Sequence, residues 1–326
     1  MNLAGRLCAL FVAVLAASAA CETAGAQSTY PDRPIRIFVP FPPAGSNDVL
    51  ARLIGKKLEE AWHQPVIVEN RVGANGTIGT AAMIKAPADG YTLLMTSDTH
   101  ILTPLFYPTP YDALKDVAAI TTIASSELLL VVNPTVAAST LAELVALAKS
   151  RPGAINYATP GAGNTLHLAT ELLSTKTGIK LTHVPYKGAP PAVTDLLGGQ
   201  VQMMISPPTN VVEYVKSGRL RAIAISGPDR LPALPNVPTF AEAGVKEFEV
   251  KFWTGLLAPA GTPTAIVNRI AGEVAKIVAQ PDVGQALLAR GMSPFTLSPE
   301  QFTALLDRGT LKYRQIIKDA GIKLEQ

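Results

Sequence analysis

The stretch IRIFVPFPPAGSNDVLARLIGKKLEEAW, residues 35–62, decides the fold class. Ile35, Ile37 and Val39 alternate with other residues as a strand requires, while Leu50, Leu53, Ile54 and Leu58 recur at helical spacing between Asp48 and Trp62. Between the two patterns lies Phe41-Pro42-Pro43-Ala44-Gly45-Ser46-Asn47-Asp48. Its prolines stiffen the exit from the strand, Gly45 relaxes the backbone, and Ser46 or Asn47 suits a helix N-cap. Strand, Pro/Gly loop and helix in that order open a βαβ unit and predict a parallel sheet.

The same pattern recurs outward from this segment. Val66–Val68 precedes a helix predicted over Thr77–Lys85, and Tyr91–Met95 precedes a helical stretch near Ile101–Phe106. A second series starts at Leu128–Val132, continues through a helix with Thr140 and Glu143 in a capping box, and reaches Ala154–Tyr157, a glycine loop and a helix over Leu166–Leu173. Lys180–Val184, Val201–Ile205 and Leu220–Ile225 are further strand candidates. The last third has one strand candidate, residues 248–257, then helices near Pro263–Ala279 and over residues 299–320, the latter opened by Ser298-Pro299-Glu300-Gln301. Those helices have apolar faces but no strand series of their own, so they are expected to cover the first sheet. The chain would then cross between two α/β lobes twice, near Leu128–Asn133 and near residues 249–257, and two extended crossings make a hinge.

Residues 1–26 read as a secretory signal peptide: Arg6 supplies positive charge, Leu7–Ala20 is an apolar run short for a membrane span, and Ala24-Gly25-Ala26 fits a cleavage site. Cleavage there would send the mature chain to the periplasm and remove Cys8 and Cys21, the two cysteines of the sequence. Lipidation of Cys21 is disfavoured because Ser18 stands where a larger aliphatic residue is usual. The expected division is therefore a leader, 1–26, a first lobe of 27–129 plus 253–326, and a second lobe of 130–252. With 28 Lys and Arg against 25 Asp and Glu among 326 residues, and the basic residues scattered, no nucleic-acid partner is expected. A monomer is expected.

In an open α/β sheet, ligands sit off the carboxyl ends of strands, where loops enter helix N-termini. The 41–48 loop supplies candidate ligand residues Phe41, Pro43, Ala44, Gly45, Ser46 and Asp48, and the 158–167 loop supplies Ala158, Thr159, Gly161, Gly163, Asn164, Thr165 and His167. Facing each other across a cleft, two such helix starts would favour an anion through free N–H groups and the helix dipole, without an arginine. Thr96 and Ser97 after the third strand and Ser206 after the Val201–Ile205 strand complete the candidate set. Each of these also has an ordinary reading as a turn, cap or packing residue. Lys187 could attract anions or be a surface lysine, and Phe252 and Trp253 could wall the cleft or pack the hinge. The sequence contains no G-x-S-x-G elbow, P-loop or H-E-x-x-H motif, and its histidines, at 63, 100, 167 and 183, show no metal spacing. No catalytic residue, cofactor or metal is expected.

Tyr30-Pro31, Pro34-Ile35-Arg36, FPPAGSND at 41–48, PVIVENR at 65–71, Gly76-Thr77-Ile78-Gly79, DGYTLL at 89–94, Tyr157 with Gly161–His167, HVPYKG at 183–188 and TDLLGGQV at 194–201 follow one another along the chain. Together these strings resemble the Bug-type periplasmic receptors of tripartite tricarboxylate transporters. The resemblance implies a class II periplasmic-binding-protein fold with two α/β lobes and a two-crossing hinge. It also implies a small organic carboxylate (a di- or tricarboxylate or an aromatic acid) held between the lobes by main-chain amides and small polar side chains, and membrane transporter subunits as partners. A ligand-presenting sensor, or an enzyme on the same fold, are the alternatives. Ala44 and Asn47 stand where the family often has Gly and Thr, and Ser206 where several members have Asp. A neutral Ser206 points to a ligand without an ammonium group.

Overall fold

The computed structural model describes residues 30–246, 248, 250–319 and 321. The leader, its cleavage site and both cysteines lie outside the described residues, as do positions 249 and 320 of the ranges expected above. In chain order the elements are β1 (Ile35–Val39), α1 (Ser46–Trp62), β2 (Val66–Asn70), a 3₁₀ turn (Ala74–Gly76), α2 (Thr77–Ile84), β3 (Thr92–Ser97), α3 (Thr99–Phe106), β4 (Val117–Ser126) and β5 (Leu129–Val132). They continue with α4 (Leu141–Ser150), β6 (Asn156–Thr159), α5 (Thr165–Thr177), β7 (Thr182–Pro185), α6 (Ala189–Leu197), β8 (Met203–Ser206), α7 (Pro208–Lys216) and β9 (Arg221–Ile225). The last are β10 (Phe252–Pro259), α8 (Thr264–Val278), α9 (Pro281–Ala289), β11 (Ser293–Pro294) and α10 (Pro299–Asp319).

These strands form two sheets with the same internal plan. The first runs β2-β1-β3-β10-β4-β11 and the second β7-β6-β8-β5-β9. In each, three parallel strands are followed by one antiparallel strand that has just arrived from, or is about to leave for, the other sheet: β10 lies antiparallel to β3, and β5 antiparallel to β8. The chain passes from the first sheet to the second between β4 and β5 and returns between β9 and β10. Ser226 ties the crossing region together, its hydroxyl accepting from Leu128 N–H and lying 3.1 Å from the Val250 carbonyl.

Among the elements not anticipated are β4 and α9. β4 is ten residues long and buried along nearly its whole length. Its sequence, VAAITTIASS, is too rich in Ala, Thr and Ser to stand out as an apolar run, yet a strand covered on both faces needs only small or uncharged side chains. The helix α9 starts at Pro281, which fixes the first-turn φ where its missing N–H costs nothing.

α10 returns across the first sheet, burying Phe302, Leu306, Tyr313 and Ile317 against Phe38, Leu94, Leu257 and Trp253. Phe302 meets Trp253 edge-on at 5.1 Å between ring centres. Gly255 makes that approach possible, because a Cβ there would lie 2.7 Å from the Phe302 ring. The second core gathers β5, β6, β8 and β9 around Tyr157, Ile205 and Ala224. Leu168 of α5 packs into the first core instead, beside Phe106 and Trp253, so the start of α5 bridges the two sheets. Among the described residues no helix is long and apolar enough to cross a membrane.

Candidate functional site

The strand ends of both sheets meet at one cavity, and five helix starts converge on it. α1 contributes Gly45, Ser46 and Asn47; α3 contributes Ser97 and Thr99; α5, Asn164 and Leu166; α6, Gly188, Ala189 and Pro190; α7, Pro207 and Asn210. Phe41, Pro42, Asn75, Pro160 and Phe252 close the remaining wall. The cavity volume is about 60 Å³, room for roughly four to six water-sized groups. It shares Phe41, Pro42, Asn75 and Pro160 with an outer chamber of about 740 Å³ that Tyr107, Gly161, Tyr186 and Lys187 help to line.

Among the described residues no lysine, arginine, histidine, aspartate or glutamate lines the inner cavity. Its electrostatics come from backbone. In α1 the N–H groups of Ser46, Asn47 and Asp48 meet no acceptor among the described residues, the first intrahelical bond being Val49 N–H to Gly45 O at 3.0 Å. The N–H groups of Thr165 and Ala189 are likewise without a protein acceptor among the described residues. Each helix start carries about half a positive elementary charge. Converging in a small, mostly apolar space, they make a site for a negative group that needs no titratable side chain.

The loops are held in this shape by side chains behind them. Ala44 adopts a left-handed conformation, φ 65°, and its N–H donates to Asp48 Oδ2 at 2.9 Å. Asp48 also takes Arg52 at 2.9 Å and Asn70 Nδ2 at 2.9 Å. Burial would raise the Asp48 carboxyl, but Arg52, the Ala44 amide and Asn70 together hold it below the usual carboxylate range. On the opposite side Asn164 caps α5, its Oδ1 accepting from Leu166 and His167 N–H and its Nδ2 donating to Gly161 O at 2.6 Å. His167 Nδ1 accepts from Gly163 N–H at 3.1 Å, and its ring stacks on His183 at 4.3 Å. Thr159 turns its hydroxyl to Gly161 O and lies 2.7 Å from His183 Nε2.

Of the residues expected at the ligand, Phe41, Gly45, Ser46, Ser97 and Asn164 line the inner cavity and Gly161 the outer chamber. Pro43, Ala44, Asp48, Thr96, Ala158, Thr159, Gly163, Thr165, His167 and Ser206 line neither. For Asp48, Thr159 and His167 the reason is the loop bonding just described. Ser206 accepts from Asn210 Nδ2 at 3.2 Å, and its own hydroxyl donates to Pro207 O. Gly163 faces Phe106 and Tyr107 of the first lobe, where a Cβ would come within 2.9 Å of both. Phe252 walls the cavity while Trp253 is core. The helix starts at Gly188–Pro190 and at Pro207–Asn210 were outside the expected set, although they follow β7 and β8 by the same strand-loop-helix rule.

Thr209 Oγ1 donates to Arg290 O at 3.3 Å between the two sheets' segments, and two hydrogen bonds join them at the cavity wall. Ser46 Oγ donates to Asn210 Oδ1 at 3.1 Å, and Asn75 Nδ2 donates to Gly163 O at 3.2 Å and to Thr103 Oγ1 at 3.0 Å. Beneath them, Asp98 is fully buried at the start of α3, with Tyr313 OH donating to it at 3.0 Å and the Thr165 hydroxyl of the opposite lobe facing it. Burial pushes its carboxyl up to about 7, against the opposing pull of those donors. Burial also lowers His100 to about 4, against the opposing pull of the hydrogen bond from its Nε2–H to Ala113 O at 2.8 Å. Among the described residues no group of three or more His, Cys, Asp or Glu could hold a metal ion.

Two α/β sheets of one plan, with helix starts facing each other across a cleft, define a periplasmic-binding-protein fold. The chain belongs to the tripartite tricarboxylate transporter receptor family, whose model, described as "Tripartite tricarboxylate transporter family receptor", matches residues 50–322. It is 38% identical to Protein BugT of Bordetella pertussis over 317 residues, which cover 96% of this chain and 97% of BugT. Among solved structures it resembles Rpa4515 of R. palustris with adipate, at 34% identity and a TM-score of 0.87, over 90% of this chain and 98% of that one. It also resembles MatC from Rhodopseudomonas palustris with bound malate, at 29% identity and a TM-score of 0.84, over 88% of this chain and 100% of that one.

Proposed function

We propose that this protein is a periplasmic receptor that captures a small organic carboxylate between its lobes and passes it, chemically unchanged, to membrane subunits of a tripartite transporter. The observation that carries this reading is the convergence of five helix starts on a cavity without one ionisable side chain. Such a site attracts an anion and offers no group to move a proton to or from it. It also disfavours an ammonium group, which would meet the positive starts of helices and no carboxylate side chain in the cavity lining. The similar structures bound to adipate and malate support a carboxylate as the ligand class.

In this reading the carboxylate lies against the amides of Ser46 and Asn47 on one side and of Ala189 on the other. Ser97, Asn164 and Asn210 frame it, and Lys187 stands in the outer chamber on the path inward. Residues 27–129 with 253–326 form one lobe and 130–252 the other; the receptor acts as a monomer, and residues 1–26 direct it to the periplasm.

The test is native mass spectrometry of whatever co-purifies with the mature protein, followed by thermal-shift titration of C3 to C8 mono-, di- and tricarboxylates and of the matching amino acids. Carboxylates should raise the melting temperature and be recovered intact, because a ligand of the folded state stabilises it by mass action. Amino acids should leave it unchanged. Turnover of a bound carboxylate, or stabilisation by amino acids alone, would overturn the proposal.

A further inference from the structure

Asn47 stands on the first turn of α1, lines the inner cavity and is only 7% exposed. Its Oδ1 is buried and receives no hydrogen bond from any of the described residues. The other asparagines around the cleft are engaged: Asn75 bonds Thr103 and Gly163, Asn164 caps α5, and Asn210 links Ser46 to Ser206. Asn70, behind the loop, donates to Phe41 O and Asp48. A buried amide oxygen left without a donor is costly, and natural sites keep such groups for a partner that arrives later.

The chemistry of that partner can be read from what surrounds it. A carboxylate only accepts hydrogen bonds and is served by the main-chain N–H groups beside Asn47, so its oxygens would repel Oδ1. A methylene would leave the amide unpaired. An ammonium could donate to Oδ1 but has no counter-charge in the cavity. A hydroxyl can donate to Oδ1, which a carboxylate cannot do, and it brings no charge that needs a counter-ion. Placed next to a carboxylate, it would reach Asn47 while the carboxylate occupies the helix starts.

We infer that Asn47 is the specificity-determining residue of this cavity and that it selects hydroxycarboxylates over their deoxy analogues. The inference rests on the carboxylate-receptor reading and deepens it. Its physical basis is that a site holding a polar group for a substrate hydroxyl rejects the analogue that lacks it, whereas an apolar site barely distinguishes the two.

Calorimetric titration of the mature protein with matched pairs tests it: lactate and propionate, malate and succinate, 2-hydroxyglutarate and glutarate, mandelate and phenylacetate. For pairs that bind, the hydroxy acid should be tighter by about tenfold or more. In Asn47→Leu, near in size but apolar, that ratio should fall below about threefold, mainly through lost affinity for the hydroxy acid. Equal affinities within the pairs on the wild-type protein would overturn the inference while leaving the receptor reading intact, and need no variant. Persistence of the preference in Asn47→Leu, or in Asn47→Ala if the leucine variant does not fold, would also overturn it. Failure of every carboxylate in the panel to bind would instead overturn the receptor reading itself.

Discussion

Asp98 shows how far one residue can depart from its ordinary behaviour when the fold encloses it. Nothing in Thr96-Ser97-Asp98-Thr99 marks this carboxyl for complete burial, since the same string would serve as a solvated turn. The fold places Tyr313, 215 positions away, and Thr165, from the opposite lobe, against it. Because the folded-state value, about 7, lies above the ordinary 3.8, the native state holds the proton more tightly than the unfolded chain. The Asp98 contribution is therefore intact below about pH 4 and is lost as pH rises towards 7. Asp98→Asn keeps an acceptor for Tyr313 and carries no charge. Relative to wild type, its stability should improve between pH 4 and pH 7.5, by up to ~4 kcal/mol. Urea melts of both proteins across that range check this. The depressed His100, whose contribution runs the opposite way, is common to both proteins and cancels in the difference. A pH-independent difference would show that Asp98 is not held protonated.

At the scale of the element, a helix start in this protein is both a structural end and part of the site. α5 illustrates the coupling, because Asn164 uses its oxygen to cap two first-turn amides and its nitrogen to shape the Gly161–Gly163 loop. Asn164→Ala should cost about 1–2 kcal/mol of stability, the usual value of a lost N-cap. It should also weaken carboxylate binding, since the loop opposite α1 loses its tie. Chemical denaturation and calorimetry on the same variant check both; lost stability with unchanged affinity would separate the cap from the site. The strand-loop-helix pattern made the α1 and α5 starts legible from the chain alone. The starts of α6 and α7 followed the same rule but carried weaker local signals, the first being Pro-rich and the second lacking a capping side chain. β4 was illegible because its small, mildly polar residues carry no periodic apolar signal, and only its place between β10 and β11 explains it.

For the whole molecule, the decisive relation is between the two lobes. Gly188 abuts Pro42 so closely that a Cβ would lie 2.3 Å from the proline ring, and the Ser46–Asn210 and Asn75–Gly163 bonds sit beside that contact. These links join residues 88 to 164 positions apart and exist only when the lobes are together. Asn75→Ala removes one of them, together with the tie to Thr103. The net worth of such a bond is about 0.5–1.5 kcal/mol, so ligand affinity should fall about two- to tenfold. The loss should appear chiefly in a faster off-rate, as is usual when a closing contact is removed. Stopped-flow or surface-based kinetics check this; an unchanged off-rate would mean that the bond does not contribute to holding the closed form.

The chain by itself determined the architecture, because strand alternation, helical spacing and Pro/Gly loops are local patterns whose order implies parallel sheets and places helix starts at strand ends. It also determined the absence of familiar nucleophile and phosphate-binding motifs. The tertiary structure decided which groups face the cavity. Asp48, Thr159, His167 and Ser206 looked available in the chain and are spent on their own loops, whereas Asn47, Asn210 and Ala189 came to the fore only when the two lobes were brought together. The physical reason is that hydrogen-bond satisfaction is a property of surroundings assembled from distant segments. A polar side chain is free for a ligand only after every neighbour that could claim it has been placed.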